Sequence, residues 1–244
     1  MDPMHPILLD FAFILVLGWA ISLFILSIKT SKSPKSHLTI KWILGLMGLW
    51  ALISGALASQ GFYDNPTALP PRLGVALLPA CVFGVVMLIK KPDLIYRFNP
   101  TWLILIFTAR IGVELLFVWL FQLKEIPELM TFEGRNFDIL AGILSPFVAY
   151  YGYQKKSLSK ASLFLFNLLG LGLLINIVFY ATASTVSPFQ LFAFDQPNTA
   201  FFWAPWIFLP ALLVPLVFFA HLVLLIRLAK GLDGRRQTNQ TTDR

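Results

Sequence analysis

Seven apolar stretches, each close to the length of a bilayer core, constrain this chain more than any other feature. They run about Ile7–Ile28, Ile40–Ser59, Leu73–Ile89, Thr101–Phe121, Phe137–Tyr153, Ala161–Ala181 and Phe201–Leu228. A spanning helix needs roughly 20 apolar residues. In lipid every backbone N–H and C=O must be paired within the protein, which leaves helices or a closed barrel. Apolar and polar residues do not alternate along these stretches, so the barrel is excluded. The sequence predicts an all-α, single-domain bundle of seven transmembrane helices over residues 1–230. The polar residues 231–244, GLDGRRQTNQTTDR, form a tail without the apolar content to fold. Only 13% of residues are charged, about half of what a water-facing surface uses. Membrane lipids are therefore the first partner implied.

The net charge of +7 does not indicate nucleic acid, because the basic residues sort by side. After the first, third, fifth and seventh stretches come Lys29, Lys32, Lys35, Lys41; Lys90, Lys91, Arg97; Lys155, Lys156, Lys160; and Arg227, Lys230, Arg235, Arg236, Arg244. The opposite connections hold Arg72, Lys124 and Arg135. The positive-inside rule then places the N-terminus outside and the C-terminus in the cytoplasm. The first stretch lacks a basic leader and a small-residue cleavage site, so it reads as a retained span. Cys81 is the only cysteine, which excludes an internal disulfide and a thiolate metal site.

Against this apolar background, TARIGVELL (Thr108 to Leu116) places Arg110 and Glu114 inside the fourth stretch. Four residues apart, they share a helical face, and a charge near mid-bilayer costs at least ~2.5 kcal/mol. Two readings stand: an internal ion pair that joins the bundle, or a pocket in which Arg110 anchors an anionic group and Glu114 orients it. Asn176 lies about 9 Å and Ser145 about 10 Å from the outer helix ends, at a depth similar to Glu114. Over them, TFEGRNFD (Thr131–Asp138) offers Glu133 and Arg135 to gate the mouth. Asn136 and Asp138 suit the cap and dipole of helix five. Asp195 and Asn198 fall over the same mouth, and Asp10 near the outer interface. Pro79, Pro146, Pro205 and Pro210 lie in one half of the bundle, as expected of helices bent around an outward-opening cavity.

His221 has no histidine partner in the membrane, so neither bis-histidine haem nor a zinc triad is available, and no cofactor or metal is implied. GxxxxGK[ST], HExxH and GxSxG are absent, as is a lysine deep in helix seven. The sequence thus points to a protein that binds a small polar or anionic molecule in an outward-facing intramembrane cavity, as transporter or sensor. An intramembrane enzyme acting on a lipid-linked substrate and a structural subunit are the alternatives. The candidate ligand-binding residues are Arg110, Glu114, Glu133, Arg135, Asp138, Asn176 and Asn198.

TFEGRNFDILAG, AFDQPN and the proline-rich seventh stretch together resemble uncharacterised polytopic membrane proteins of bacterial genomes. That resemblance spans most of the chain and implies a multi-pass protein of the bacterial inner membrane. SPFVAYYGYQKKSLSKASLFLFN is also similar to the opening of the second repeat of SWEET and PQ-loop sugar carriers. There Asn176 or Asn167 would occupy the place of a substrate asparagine. The sequence departs from those carriers in lacking a Pro-Gln pair and in charging helix four.

Overall fold

A computed structural model describes residues 4–31 and 36–233. It is all-helical. Among the described residues the only β pairing is an isolated bridge between Thr185 and Asn198. The helices are α1 (Met4–Lys29), α2 (Ser36–Ser59), α3 (Leu73–Lys90), α4 (Pro100–Gln122), α5 (Ile139–Val148), α6 (Lys160–Ala183) and α7 (Leu209–Ala229). α4 carries a 3-10 turn at Ile106–Thr108, α5 runs on as a π-helical segment Ala149–Gln154, and α7 opens with a π-helical turn at Leu209–Leu213. The tail beyond Asp233 lies outside the described residues.

Local chemistry sets several of these boundaries. Asn99 caps α4 by accepting from the Thr101 N–H at 3.0 Å, and Pro100 follows at the first helical position, where its missing N–H removes nothing. Ser159 caps α6 through the Ser162 N–H at 3.0 Å. α7 begins at Leu209, eight residues later than the apolar run beginning at Phe201, because Ala200–Phe202 forms a separate 3-10 turn.

Six helices among the described residues are long and apolar enough to cross a membrane: α1, α2, α3, α4, α6 and α7. α5 falls short, with ten α-helical residues and six π-helical ones. At the stretch expected to span, Phe137–Tyr153, the structure has this shorter helix, entered from a buried connection. Large apolar side chains such as Leu52, Ile89, Phe147 and Leu169 stay exposed around the bundle. A protein in water would bury such a band; in acyl chains it is at no disadvantage.

α4 and α7 form the centre, with 56% and 67% of their spans buried against 11% for α2. α1 packs along α4, where Trp19 Nε1 donates to Thr108 Oγ1 at 2.9 Å. α7 packs against both α3 and α6, and α4 against α5. One end of the bundle carries the basic short connections; the other carries three longer ones, at 60–72, 123–138 and 184–208.

The 123–138 connection dips into the bundle. Ile126, Met130, Thr131, Asn136 and Asp138 are buried. Its backbone is folded on itself by Thr131 N–H to Glu128 O (2.8 Å), Gly134 N–H to Thr131 O (3.0 Å) and Asn136 N–H to Thr131 O (3.1 Å). The last long connection holds it from above: Gln196 Nε2 donates to the carbonyls of Phe121 (3.0 Å) and Ile126 (2.6 Å), and Thr199 N–H to that of Glu125 (2.9 Å). An irregular segment at this depth is tolerable because its polar backbone is satisfied by protein.

Candidate functional site

α4 presents Arg110 and Glu114 on one buried face, 4% and 3% exposed. They do not pair with each other. Arg110 Nη1 donates to Asp138 Oδ1 at 2.8 Å, forming the ion pair, and to the Gly170 carbonyl of α6 at 3.0 Å. Arg110 Nη2 meets His221 Nε2 of α7 at 2.8 Å. The pairing expected within one turn of α4 is corrected. The dipping segment brings Asp138 into direct contact with the guanidinium, and a carboxylate at 2.8 Å outweighs one on the same helix face.

The guanidinium has donors and no acceptors, so His221 Nε2 must offer its lone pair. The imidazole is therefore neutral, and its proton is on Nδ1, which faces Asn167 Oδ1 at 3.3 Å. Phe107 stacks on the imidazole at 3.9 Å between ring centroids, and the guanidinium carbon of Arg110 sits 5.2 Å from the same ring. α6 can come this close because residue 170 is glycine: a Cβ there would lie 2.8 Å from His221 Cε1.

Glu114 belongs to a second arm. Asn136 Nδ2 donates to its Oε2 and to the Met130 carbonyl at 3.0 Å, while Asn136 Oδ1 accepts from the Asp138 N–H at 3.1 Å. The sequence suggests Asn136 as the cap of helix five and Asp138 as a complement to its dipole. Asp138 occupies the cap position but its side chain makes no capping bond, being committed to Arg110. Glu114 Oε1 has no partner at hydrogen-bonding geometry, although the Phe132 backbone N–H faces the carboxylate. Arg110 Nε is likewise without an acceptor.

Both arms border a cavity among α3, α4, α6 and α7. Its polar part is Arg110, Glu114, Asn136 and Asp138; the walls are apolar, among them Leu77, Phe117, Ile177, Pro210 and Val217. About 60 Å³ is open to the centres of water-sized molecules, several times the ~10–15 Å³ one water requires. Of the four prolines expected to shape a cavity, Pro210 borders it. Pro210 lies in the first turn of α7, where no N–H is needed; Pro205 precedes the helix, and Pro79 and Pro146 are exposed.

The remaining sequence candidates hold the architecture. Asn176 Nδ2 donates to the Arg135 carbonyl at 2.8 Å, fixing the dipping segment to α6. Arg135 Nη1 donates to Tyr180 Oη at 3.1 Å, and Glu133 is exposed. Asn198 is buried, donating to the Ala181 carbonyl (3.1 Å) and Thr185 Oγ1 (3.2 Å) at the end of α6. None of the four borders the cavity. Asn136, Asn167 and His221 join the network instead. Their signal in the sequence was only that each is polar within or beside an apolar stretch.

Residues 73–229 match the family described as a domain of unknown function, DUF8737. The match includes every residue of the polar network. No curated protein and no solved structure matches the chain.

Proposed function

The chain belongs to the DUF8737 family of domains of unknown function, and we propose from its geometry that it is a membrane protein binding a small amphipathic molecule in the α3–α4–α6–α7 cavity, for transport or sensing. The polar head of that molecule sits at Glu114 and Arg110, and its apolar body lies along Leu77, Ile177 and Val217. With the basic connections held on the cytoplasmic face of a bacterial inner membrane, the cavity lies in the outer half and is filled from outside.

The observation that supports this reading is the joining of apolar walls to buried charges, one of which keeps an unpaired oxygen. A purely structural pair has no need of open space beside it. Replacing such a pair with apolar residues is often neutral or stabilising, so stability alone is a weak reason to keep it.

Three six-carbon probes test the reading: hexanol, hexylammonium and hexanoate, added to the purified protein in detergent while its melting is followed. At least one is expected to raise the melting temperature of the wild type. Val178→Trp, which fills the cavity from a half-buried position, should melt like wild type without a probe and lose the shift. A wild type indifferent to all three probes, or a folded Val178→Trp that still responds, overturns the reading.

A further inference from the structure

Charge balance at the polar end of the cavity narrows the ligand class. Three formal charges meet there: Arg110, Asp138 and Glu114. Arg110 and Asp138 are in direct contact at 2.8 Å, which leaves one negative charge on Glu114 without a counterion. The other titratable group is His221, whose Nε2 lone pair is occupied by Arg110. The imidazole therefore cannot take a proton without breaking that bond. α3 and α6 present no titratable side chain to the cavity, their lining being Leu73, Leu77, Leu174, Ile177, Val178 and, at the mouth, Ala181 with Thr182. Either a proton on Glu114 or a bound cation brings this end to neutrality.

An anionic head fits poorly. It would face two carboxylates, and the guanidinium it needs already spends Nη1 on Asp138 and Gly170 and Nη2 on His221, which leaves Nε as its one nitrogen without a partner. A primary ammonium supplies what is missing: a positive charge and an N–H donor for Glu114 Oε1, the oxygen without a partner.

We propose that the ligand is an alkylammonium whose head replaces a proton on Glu114, an inference that rests on the cavity being the binding site proposed above. In the empty site Glu114 is a carboxylic acid. When the ammonium enters, the O–H bond breaks, the proton leaves to bulk water and the carboxylate pairs with the ammonium. The charge of the site is the same before and after. Proton and ammonium are thus mutually exclusive, and a protein that carries both across the membrane by turns exchanges one for the other without net charge movement.

Calorimetric titration with hexylammonium tests this between about pH 6 and pH 9, where an alkylammonium, like lysine, keeps its charge. Repeating it in two buffers of different ionisation heat counts the protons released. On the acid side of the Glu114 titration one proton should be released per ligand, and there the apparent affinity should weaken about tenfold per pH unit. Glu114→Gln should lose at least tenfold in hexylammonium affinity, and the binding that remains should no longer depend on pH or release a proton. Tighter binding of hexanoate, binding without proton release, or an unimpaired Glu114→Gln overturns the ammonium assignment and leaves the cavity reading intact. If hexanol and hexanoate also fail to bind, both fall together.

Discussion

Arg110 Nη2 lies 2.8 Å from Nε2 of His221, 111 positions along the chain, and this contact sets the imidazole's tautomer. It joins α4 to α7, the two most enclosed helices, through a donor that cannot be turned into an acceptor. His221→Leu removes the only acceptor Nη2 has among the described residues, and should destabilise by about 1–3 kcal/mol or more, the cost of a stranded buried donor. His221→Gln, whose amide oxygen can accept, should recover part of the loss. Melting of the two variants in one detergent checks the order. His221→Leu matching wild type would mean that Arg110 finds another acceptor.

The Arg110–Asp138 pair gives a sharper result. Either Arg110→Met or Asp138→Leu leaves a buried charge without its partner, at about 3–5 kcal/mol, whereas the double replacement should come close to wild type. Pairing Arg110→Met with Glu114→Gln should show much weaker coupling, because those two residues do not touch. Two double-mutant cycles by thermal melting distinguish the partners. Strong coupling in the Arg110–Glu114 cycle and none in the Arg110–Asp138 cycle would contradict the arrangement seen here.

That contrast shows how far the sequence could be read. Helix existence was legible because apolar length is a local property: α1, α2, α3, α4 and α6 lie within a few residues of the stretches read from hydropathy. α5 was legible as a helix, Ile139–Val148 running on to Gln154 against the stretch Phe137–Tyr153, but nothing local says that the chain before Ile139 turns inward. Arg110 and Glu114 stood out through their cost in lipid, so the place of the buried polar network was legible. Their partners were not. Asp138 and Asn136 sit where helix caps belong, and capping explains such residues without any long-range contact. His221 and Asn167 come together only when α6 and α7 pack, at a close approach that depends on Gly170.

Gly134 tests the dipping segment independently of its charges. A Cβ at this position would fall 2.1 Å from the Glu128 carbonyl oxygen and 2.8 Å from Leu129 Cα, both backbone atoms that cannot rotate aside. Gly134→Ala must therefore open the turn between Glu128 and Gly134, with an expected cost of about 1–3 kcal/mol. Opening should also withdraw Asn136 from Glu114. A cysteine at 136 should react faster with a water-soluble thiol reagent in the Gly134→Ala background than alone. Equal labelling rates would show that the segment does not need the close approach.

Glu125 carries the prediction for pH. It lies just past α4 at the loop-rich end, beside a pocket shared with Asp10, Trp203 and Trp206. Its backbone carbonyl accepts from Thr199 and Ala200. Burial, and secondarily the Asp10 charge, hold its carboxyl above the usual glutamate range. For an acid, a folded pKa above the unfolded one means that the native state binds the proton more tightly. Stability from this group is then fullest below the ordinary glutamate value and declines as pH rises through the window up to the raised one. Glu125→Gln removes the group that titrates while keeping its shape. Its melting temperature relative to wild type should be lowest at acidic pH and should climb as pH increases through that window. Melting curves of both proteins from about pH 4 to pH 8 bracket the ordinary carboxylate value. A difference that climbs toward acid would place Glu125 in an environment that favours its charged form, and one that stays constant would leave its carboxyl unshifted; either contradicts the contacts described here.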